Sequence, residues 1–189
     1  MNKVELKKKN ILEISTRLFA LHGFHGLNTE VLAQEAGTAK GTIFRIFDSK
    51  SNLANECLLL AIKRYDELTP DILSTQPSPY EQFSAVWDMF RNMYEQFPFS
   101  FIFFELHLHQ DFVDERVIKE RSRIRGNLRN WFETLLKSGA FQDHSLLTIH
   151  GFLLGPLFRL IREEVDGHIT LTDSDLKKIK GETWKSLGR

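Results

Sequence analysis

A single cysteine, Cys57, occurs in the 189 residues, which excludes an internal disulfide and a cysteine-based zinc site. No run of 18 apolar residues is present, so no helical membrane span is expected. The basic start MNKVELKKKN is not succeeded by the apolar stretch of a secretory signal, because the chain turns amphipathic from Ile11. Net charge is missing too: 25 Lys/Arg offset 25 Asp/Glu, which taken alone argues against a nucleic-acid-binding chain. Sustained apolar/polar alternation and hairpin dipeptides between β-branched runs are lacking, so strands are not expected. No nucleophile–base–acid set and no phosphate-cradling glycine loop stands out. These absences point to a cytoplasmic, non-catalytic protein with no cofactor, no metal and no membrane partner.

Helical periodicity is what remains, and it runs along the chain. Ile11, Ile14, Leu18 and Leu21 form one face of a first helix that Gly23 ends. Ser49 is placed to cap a fourth helix over roughly 50–67 with Leu53, Cys57, Leu60 and Arg64 along one side. Pro70, Pro77 and Pro79 mark a break. Beyond it Phe83, Val86, Trp87, Phe90, Tyr94 and Phe97 recur at helical spacing up to Pro98. A charged segment of about 112–138 carries Ile124, Leu128, Trp131 and Leu135 as an inward stripe and stops at Gly139. An apolar helix over 145–164 comes next, and then a last one over 173–187 with Leu176, Ile179, Trp184 and Leu187. The expected fold is all-α, with about nine helices.

The stretch from Glu30 to Phe47, EVLAQEAGTAKGTIFRIF, is the most informative. Val31, Leu32 and Glu35-Ala36 allow one inward face, and Gly37 then supplies the positive φ of a tight inter-helix turn. Thr38 is placed to cap the next helix, about 39–46, which turns Ile43, Ile46 and Phe47 inward. Ala39, Lys40, Thr42 and Arg45 are left to face outward. One side anchored and the other free is the division a helix-turn-helix needs to meet bases and phosphates. Lys40 lies where an ammonium reaches a phosphate or a guanine edge, and Thr42 offers a hydroxyl and a methyl to base edges. Arg45 forks onto guanine or clamps a phosphate. Gly41 costs about 1 kcal/mol in a helix against alanine, and close approach of backbone to DNA is a reason to keep it. Asn28 and Thr29 cap the second helix, and Ser49-Lys50 the fourth, presenting amides toward a phosphate backbone. Charge is also unevenly placed, with 8 Lys/Arg against 5 Asp/Glu in residues 1–50. Lys3, Lys7, Lys8 and Lys9 read either as a phosphate-tracking arm or as a solvated helix start.

These residues resemble the tetracycline-repressor (TetR) family of bacterial transcriptional regulators. The resemblance rests on Ile11-Leu12, Leu18-Phe19, Gly23-Phe24, Asn28-Thr29-Glu30, Leu32-Ala33, Ala36-Gly37, and above all Lys40-Gly41-Thr42-Ile43-Phe44-Arg45-Ile46-Phe47 with Ser49-Lys50. It covers roughly residues 8–60; beyond about 65 only length, helical content and helix order agree. It implies a helix-turn-helix domain at 1–48 and a C-terminal effector-binding and dimerisation domain at 49–189. It also implies DNA contacts through Asn28, Thr29, Ala39, Lys40, Gly41, Thr42, Phe44, Arg45 and Lys50. The family often has Ser at 39 and Tyr at 44 and 46, and proline or a neutral residue at 48. Phe44 lacks the tyrosine hydroxyl that commonly reaches a phosphate, and Asp48 would repel one.

The body is aromatic-rich: 12 of the 16 Phe come after Pro79. Core packing is one reading. The other, which the resemblance favours, is that Phe83, Trp87, Phe90, Phe103, Phe104, His107, Trp131 and Phe152 partly line a cavity for a small hydrophobic or aromatic effector. His107 and His109 lie two apart and so point about 200° away from each other on a helix, which rules out joint chelation. Gly151 and Gly155 stand four apart on the apolar helix, a spacing that lets a partner helix approach. A dimer interface through Gly151, Leu154, Gly155, Phe158, Ile179 and Trp184 would bury it, as the resemblance also implies. Together these readings give a homodimeric repressor on a palindromic double-stranded DNA operator, released by its effector. The alternative is a helical small-molecule-binding or protein-interaction module whose helix-turn-helix is non-functional, which Phe44 and Asp48 favour.

Overall fold

The computed structural model describes residues 2–69, 78–141 and 144–187, and the helices among them account for the periodicities of the sequence. They are α1 (Lys3–Gly26), α2 (Thr29–Glu35), α3 (Lys40–Phe47), α4 (Lys50–Leu68), α5 (Pro79–Gln96), α6 (Pro98–His107), α7 (Glu115–Lys137), α8 (Leu146–Leu153), α9 (Gly155–Val165) and α10 (Asp173–Leu187). No strand occurs among the described residues. The proline break expected at 70–79 lies largely outside them. No described helix is long and apolar enough to cross a membrane.

The chain divides into two compact units, Met1–Glu67 with Met93–Ser122, and Leu68–Asn92 with Arg123–Arg189. In the first, α1 opens with a capping box: the Asn2 side chain accepts from the amides of Val4 and Glu5, and the Glu5 carboxylate accepts from the Asn2 amide. The lysines at 3, 7, 8 and 9 therefore stand on a helix, exposed, with Lys8 3.8 Å from Glu56. Helix α1 does not simply end at Gly23. It breaks there at φ 69°, ψ 170°, and regains a last turn. Ile11 and Leu18 are buried as expected, but Leu21, two residues before the break, is 51% exposed.

This first unit reaches past residue 48, because α4 is hydrogen-bonded to α6 and to the segment between α6 and α7. The buried Asn55 amide donates to the Phe112 carbonyl and accepts from the Asp114 amide, both at 2.9 Å. Arg64 donates to Ser100 Oγ and to Glu13 and lies 4.2 Å from the centre of the Phe97 ring. Asp114 starts α7 by accepting from the amides of Arg116 and Val117. Burial opposes its ionisation, yet the Arg116 guanidinium and those amides outweigh it and hold the carboxyl below its ordinary range. Burial pushes the Cys57 thiol up to about 12, so it stays protonated and packs as a small apolar side chain.

In the second unit Phe83, Val86, Trp87 and Phe90 of α5 are buried, as are Ile124, Trp131 and Leu135 of α7. A ring cluster forms within it, Trp184 packing on Tyr80, Phe83 and Phe141 with centroids 5.3, 5.3 and 5.0 Å away. Lys180 reaches Asp88 at 2.8 Å and Ser84 at 2.9 Å, tying α10 to α5. The helix expected over 145–164 is divided at Leu154, where φ is −112° and the sequence continues Gly155-Pro156. Proline at the start of a helix lacks an amide to continue the preceding hydrogen-bond ladder, so the chain starts again as α9.

Candidate nucleic-acid interface

Helices α2 and α3 are joined as a turn that the sequence dictates locally. Asn28 caps α2, its side chain accepting from the Glu30 amide at 2.8 Å. At the far end Gly37 has φ 58° and its amide reaches the Gln34 carbonyl, while the Thr38 amide reaches Ala33. Leu32, Ala33 and Ala36 are buried beneath, whereas Val31, expected inward, is 43% exposed. A seven-residue helix has room for one narrow buried stripe, and Leu32-Ala33-Ala36 fills it. The cap of α3 also differs from expectation. Ala39, not Thr38, stands at the N-cap, and no side chain accepts from the helix's first amides.

On α3 the division into faces is clear. Ile43 and Phe47 are each 1% exposed, Phe44 is half-buried, as are Ile46, expected inward, and Thr42, expected outward, and Ala39, Lys40, Gly41 and Arg45 lie toward solvent. A Cβ built at Gly41 would meet nothing within 4 Å, so no neighbour in the chain demands glycine there. Its helix cost of about 1 kcal/mol is thus uncompensated by packing within the chain. Arg45 has no ion pair among the described residues. Lys40 does: its ammonium lies 2.5 Å from Glu30 Oε1, across the turn. That hydrogen bond is the main reason the exposed Glu30 carboxyl sits below its ordinary range.

Helix α3 ends in a three-residue turn at Asp48, with φ 62°, ψ −45° and the Ser49 amide 2.7 Å from the Phe47 carbonyl. This is the strained γ-turn geometry, and a proline ring cannot adopt that φ. The departure from proline at 48 therefore has a backbone cause. Ser49 caps α4 through the Asn52 amide at 3.0 Å. Lys50, expected at a phosphate, is half-buried: it donates to the Leu27 carbonyl at 2.6 Å and lies 5.0 Å from the Phe24 ring centre, and burial lowers its pKa. Thr29 opens α2, its hydroxyl 3.4 Å from Glu30 Oε2.

The residues expected around an effector fall into both compact units. Phe103, Phe104 and His107 belong to the first, where Phe103 stacks on Phe19 and Phe112, and Phe104 on Tyr65. Phe83, Trp87, Phe90 and Trp131 are buried in the second. Phe152, expected in a cavity wall, is 55% exposed and faces solvent instead. Of the residues expected at a dimer interface, Gly151 is exposed, Gly155, Phe158 and Ile179 are half-buried, and Leu154 is buried. Gly151 and Gly155 stand on different helices because of the break at Leu154, so they are not two positions of one helical stripe. Trp184 is engaged by the rings of its own chain. Sequence reading missed Leu147, which is 81% exposed on α8.

Residues 11–57 match the family model of bacterial regulatory proteins, tetR family. A search of curated proteins gives no match. Among solved structures, a TetR family transcription regulator from Marinobacter aquaeolei VT8 is similar over 98% of this chain and 97% of its own, with TM-score 0.78 and 20% identity. The ketosteroid transcriptional regulator KstR2 of Mycobacterium tuberculosis reaches TM-score 0.80 at 14% identity, covering 96% and 95%. The transcriptional regulator FadR from Bacillus subtilis, solved in complex with stearoyl-CoA, has TM-score 0.66 and 16% identity over 95% and 97%.

Proposed function

We propose that this chain, whose residues 11–57 match the tetR-family model and whose fold is similar to that of TetR family transcription regulators, is a ligand-responsive repressor that binds a palindromic operator as a homodimer. The observation that carries this reading is α3 itself. Lys40, Gly41 and Arg45 are exposed along it while Ile43 and Phe47 hold the opposite side in the core. In this reading residues 1–48 lay α3 in a major groove, with Asn28, Thr29, Ala39, Thr42, Phe44 and Lys50 beside it, and residues 49–189 bind the effector and the second subunit. Phe44 gives the groove an apolar contact such as a thymine methyl where a tyrosine would reach a phosphate.

The second copy is supported by Leu147 and Phe152, 81% and 55% exposed on α8 beside Gly151, where a Cβ would meet nothing within 4 Å. Leu147 and Gly151 stand four apart and share one face of α8, and a large apolar side chain left in solvent beside a glycine suits the approach of a partner helix. Leu147→Asp is expected to convert a dimer to monomer in sedimentation equilibrium; a dimer unchanged in strength would move the interface elsewhere. A hydrophobic effector suits the buried aromatics of the body, and the FadR relative was solved with stearoyl-CoA. Effector binding that favours a dimer with wrongly spaced heads weakens operator binding about 5–150-fold for a coupling of about 1–3 kcal/mol.

The experiment is selection of duplexes from a randomised pool, and then salt titration on the enriched sequence. An inverted repeat with salt-sensitive binding is the expected result. Lys40→Ala and Arg45→Ala should each cost about 1–3 kcal/mol and relax preference at one position of each half-site. No enrichment, with both variants binding as the parent does, would favour the interaction-module reading.

A further inference from the structure

Three residues of the proposed DNA surface converge on one carboxylate residue. Glu30 receives Lys40 at 2.5 Å on Oε1 and the Thr29 hydroxyl at 3.4 Å on Oε2, and its amide is held by Asn28 at 2.8 Å. The pair is open to solvent, the Lys40 and Glu30 side chains being 47% and 63% exposed. It differs from the pairs Lys63–Glu67 and Arg129–Glu133, which join successive turns of one helix. Glu30–Lys40 instead spans the turn and links the start of α2 to the start of α3.

That placement sets up a competition. A phosphate offers Lys40 a negative charge, but Lys40 already has one. If Lys40 stays with Glu30, the pair is neutral and no phosphate is neutralised. If it leaves, an uncompensated carboxylate faces the phosphates. Either way, contact with phosphate alone is weakened, and such contact is what a random sequence provides. A base edge that accepts two hydrogen bonds in fixed geometry gives Lys40 or its neighbours a return that phosphate does not.

We propose that Glu30 is a specificity-determining residue, whose carboxylate withholds Lys40 from phosphates and so keeps the protein off DNA of arbitrary sequence. This rests on the reading of α3 as a DNA-recognition helix. It predicts a particular coupling. Removing the Glu30 charge frees Lys40, so the gain in random-sequence affinity must depend on Lys40 being present.

The test uses the full chain and a fluorescein-labelled duplex of arbitrary sequence, with anisotropy read from low to moderate KCl, for the parent, Glu30→Gln, Lys40→Gln and the double variant. Glu30→Gln is expected to tighten binding about five- to tenfold at low salt and to steepen log K against log salt by about one per head. Lys40→Gln should abolish the gain made by Glu30→Gln, because the two charges are coupled. On a duplex enriched from a randomised pool, Glu30→Gln should narrow the ratio of enriched to random affinity. Equal loss from Lys40→Gln in both backgrounds would overturn the proposal, since Glu30 would then be an independent charge. Unchanged affinity in Glu30→Gln would overturn it as well. If neither the parent nor Glu30→Gln binds any duplex in dilute salt, the recognition-helix reading itself falls, a result distinct from binding without coupling.

Discussion

Phe47→Ala is expected to lower stability by about 3–5 kcal/mol and to abolish the proposed DNA binding, although Phe47 faces away from the surface that would meet DNA. The ring is 1% exposed at the last turn of α3, and with Ile43, also 1%, it is what anchors that helix. The Lys8 ammonium lies 5.6 Å from its centre, and the Phe47 carbonyl accepts from the Asn52 side chain at 2.9 Å and from the Ser49 amide at 2.7 Å. Truncation leaves a cavity where α3 meets the core and frees the strained turn at Asp48 to relax, so the recognition face loses its orientation. Urea unfolding monitored by circular dichroism, with duplex anisotropy on the same samples, measures both losses. The contrast is Arg45→Ala, which removes an exposed side chain and should leave stability within about 0.5 kcal/mol while weakening binding. A Phe47→Ala midpoint matching the parent's would contradict the anchoring role.

Asn55→Leu has the second large effect. The two side chains are close in size, but the asparagine is 2% exposed and uses both ends of its amide. Its Nδ2 donates to the carbonyls of Ser51 and Phe112, at 2.8 and 2.9 Å, and its Oδ1 accepts from the Asp114 amide at 2.9 Å. Leucine would leave the Phe112 carbonyl and the Asp114 amide without those partners, at about 1–3 kcal/mol for each group that stays dry. Asp114 in turn caps α7 and holds Arg116, which reaches Glu56 and Asn52 on α4. The substitution should therefore loosen the segment between α6 and α7 beyond the global loss. Denaturant midpoints give the first quantity, and amide exchange at Asp114 the second. Full protection at Asp114 in a variant of normal stability would show that Asn55 is not the clasp between α4 and that segment.

Much of the head is legible in the sequence, because its signals are short-range. Gly37 at φ 58°, Ser49 over the Asn52 amide and the buried pair Ile43–Phe47 each depend on residues within four or five positions. Family resemblance sharpens the same reading at Lys40 to Phe47. Periodicity alone is less reliable for single positions. Leu21 and Val31 fit their stripes by spacing yet stand exposed, since a stripe says which side is apolar and not how far the neighbouring helix extends over it. The break at Leu154 is visible as Gly155-Pro156, but an apolar run on both sides masks it.

What the sequence determined by itself was the all-helical order, the turn between α2 and α3, and the anchoring of α3 by Ile43 and Phe47. Those depend on local backbone preference and on spacing along one helix. Only the tertiary structure decided that Lys50 turns inward to Leu27, that Glu30 claims Lys40, that Trp184 joins the rings of its own chain and that Asn55 binds a segment 57 residues away. Each of these is a choice among several chemically equivalent partners, and it is made by which surfaces the packed helices bring within hydrogen-bonding or van der Waals reach. A linear pattern carries no such distance.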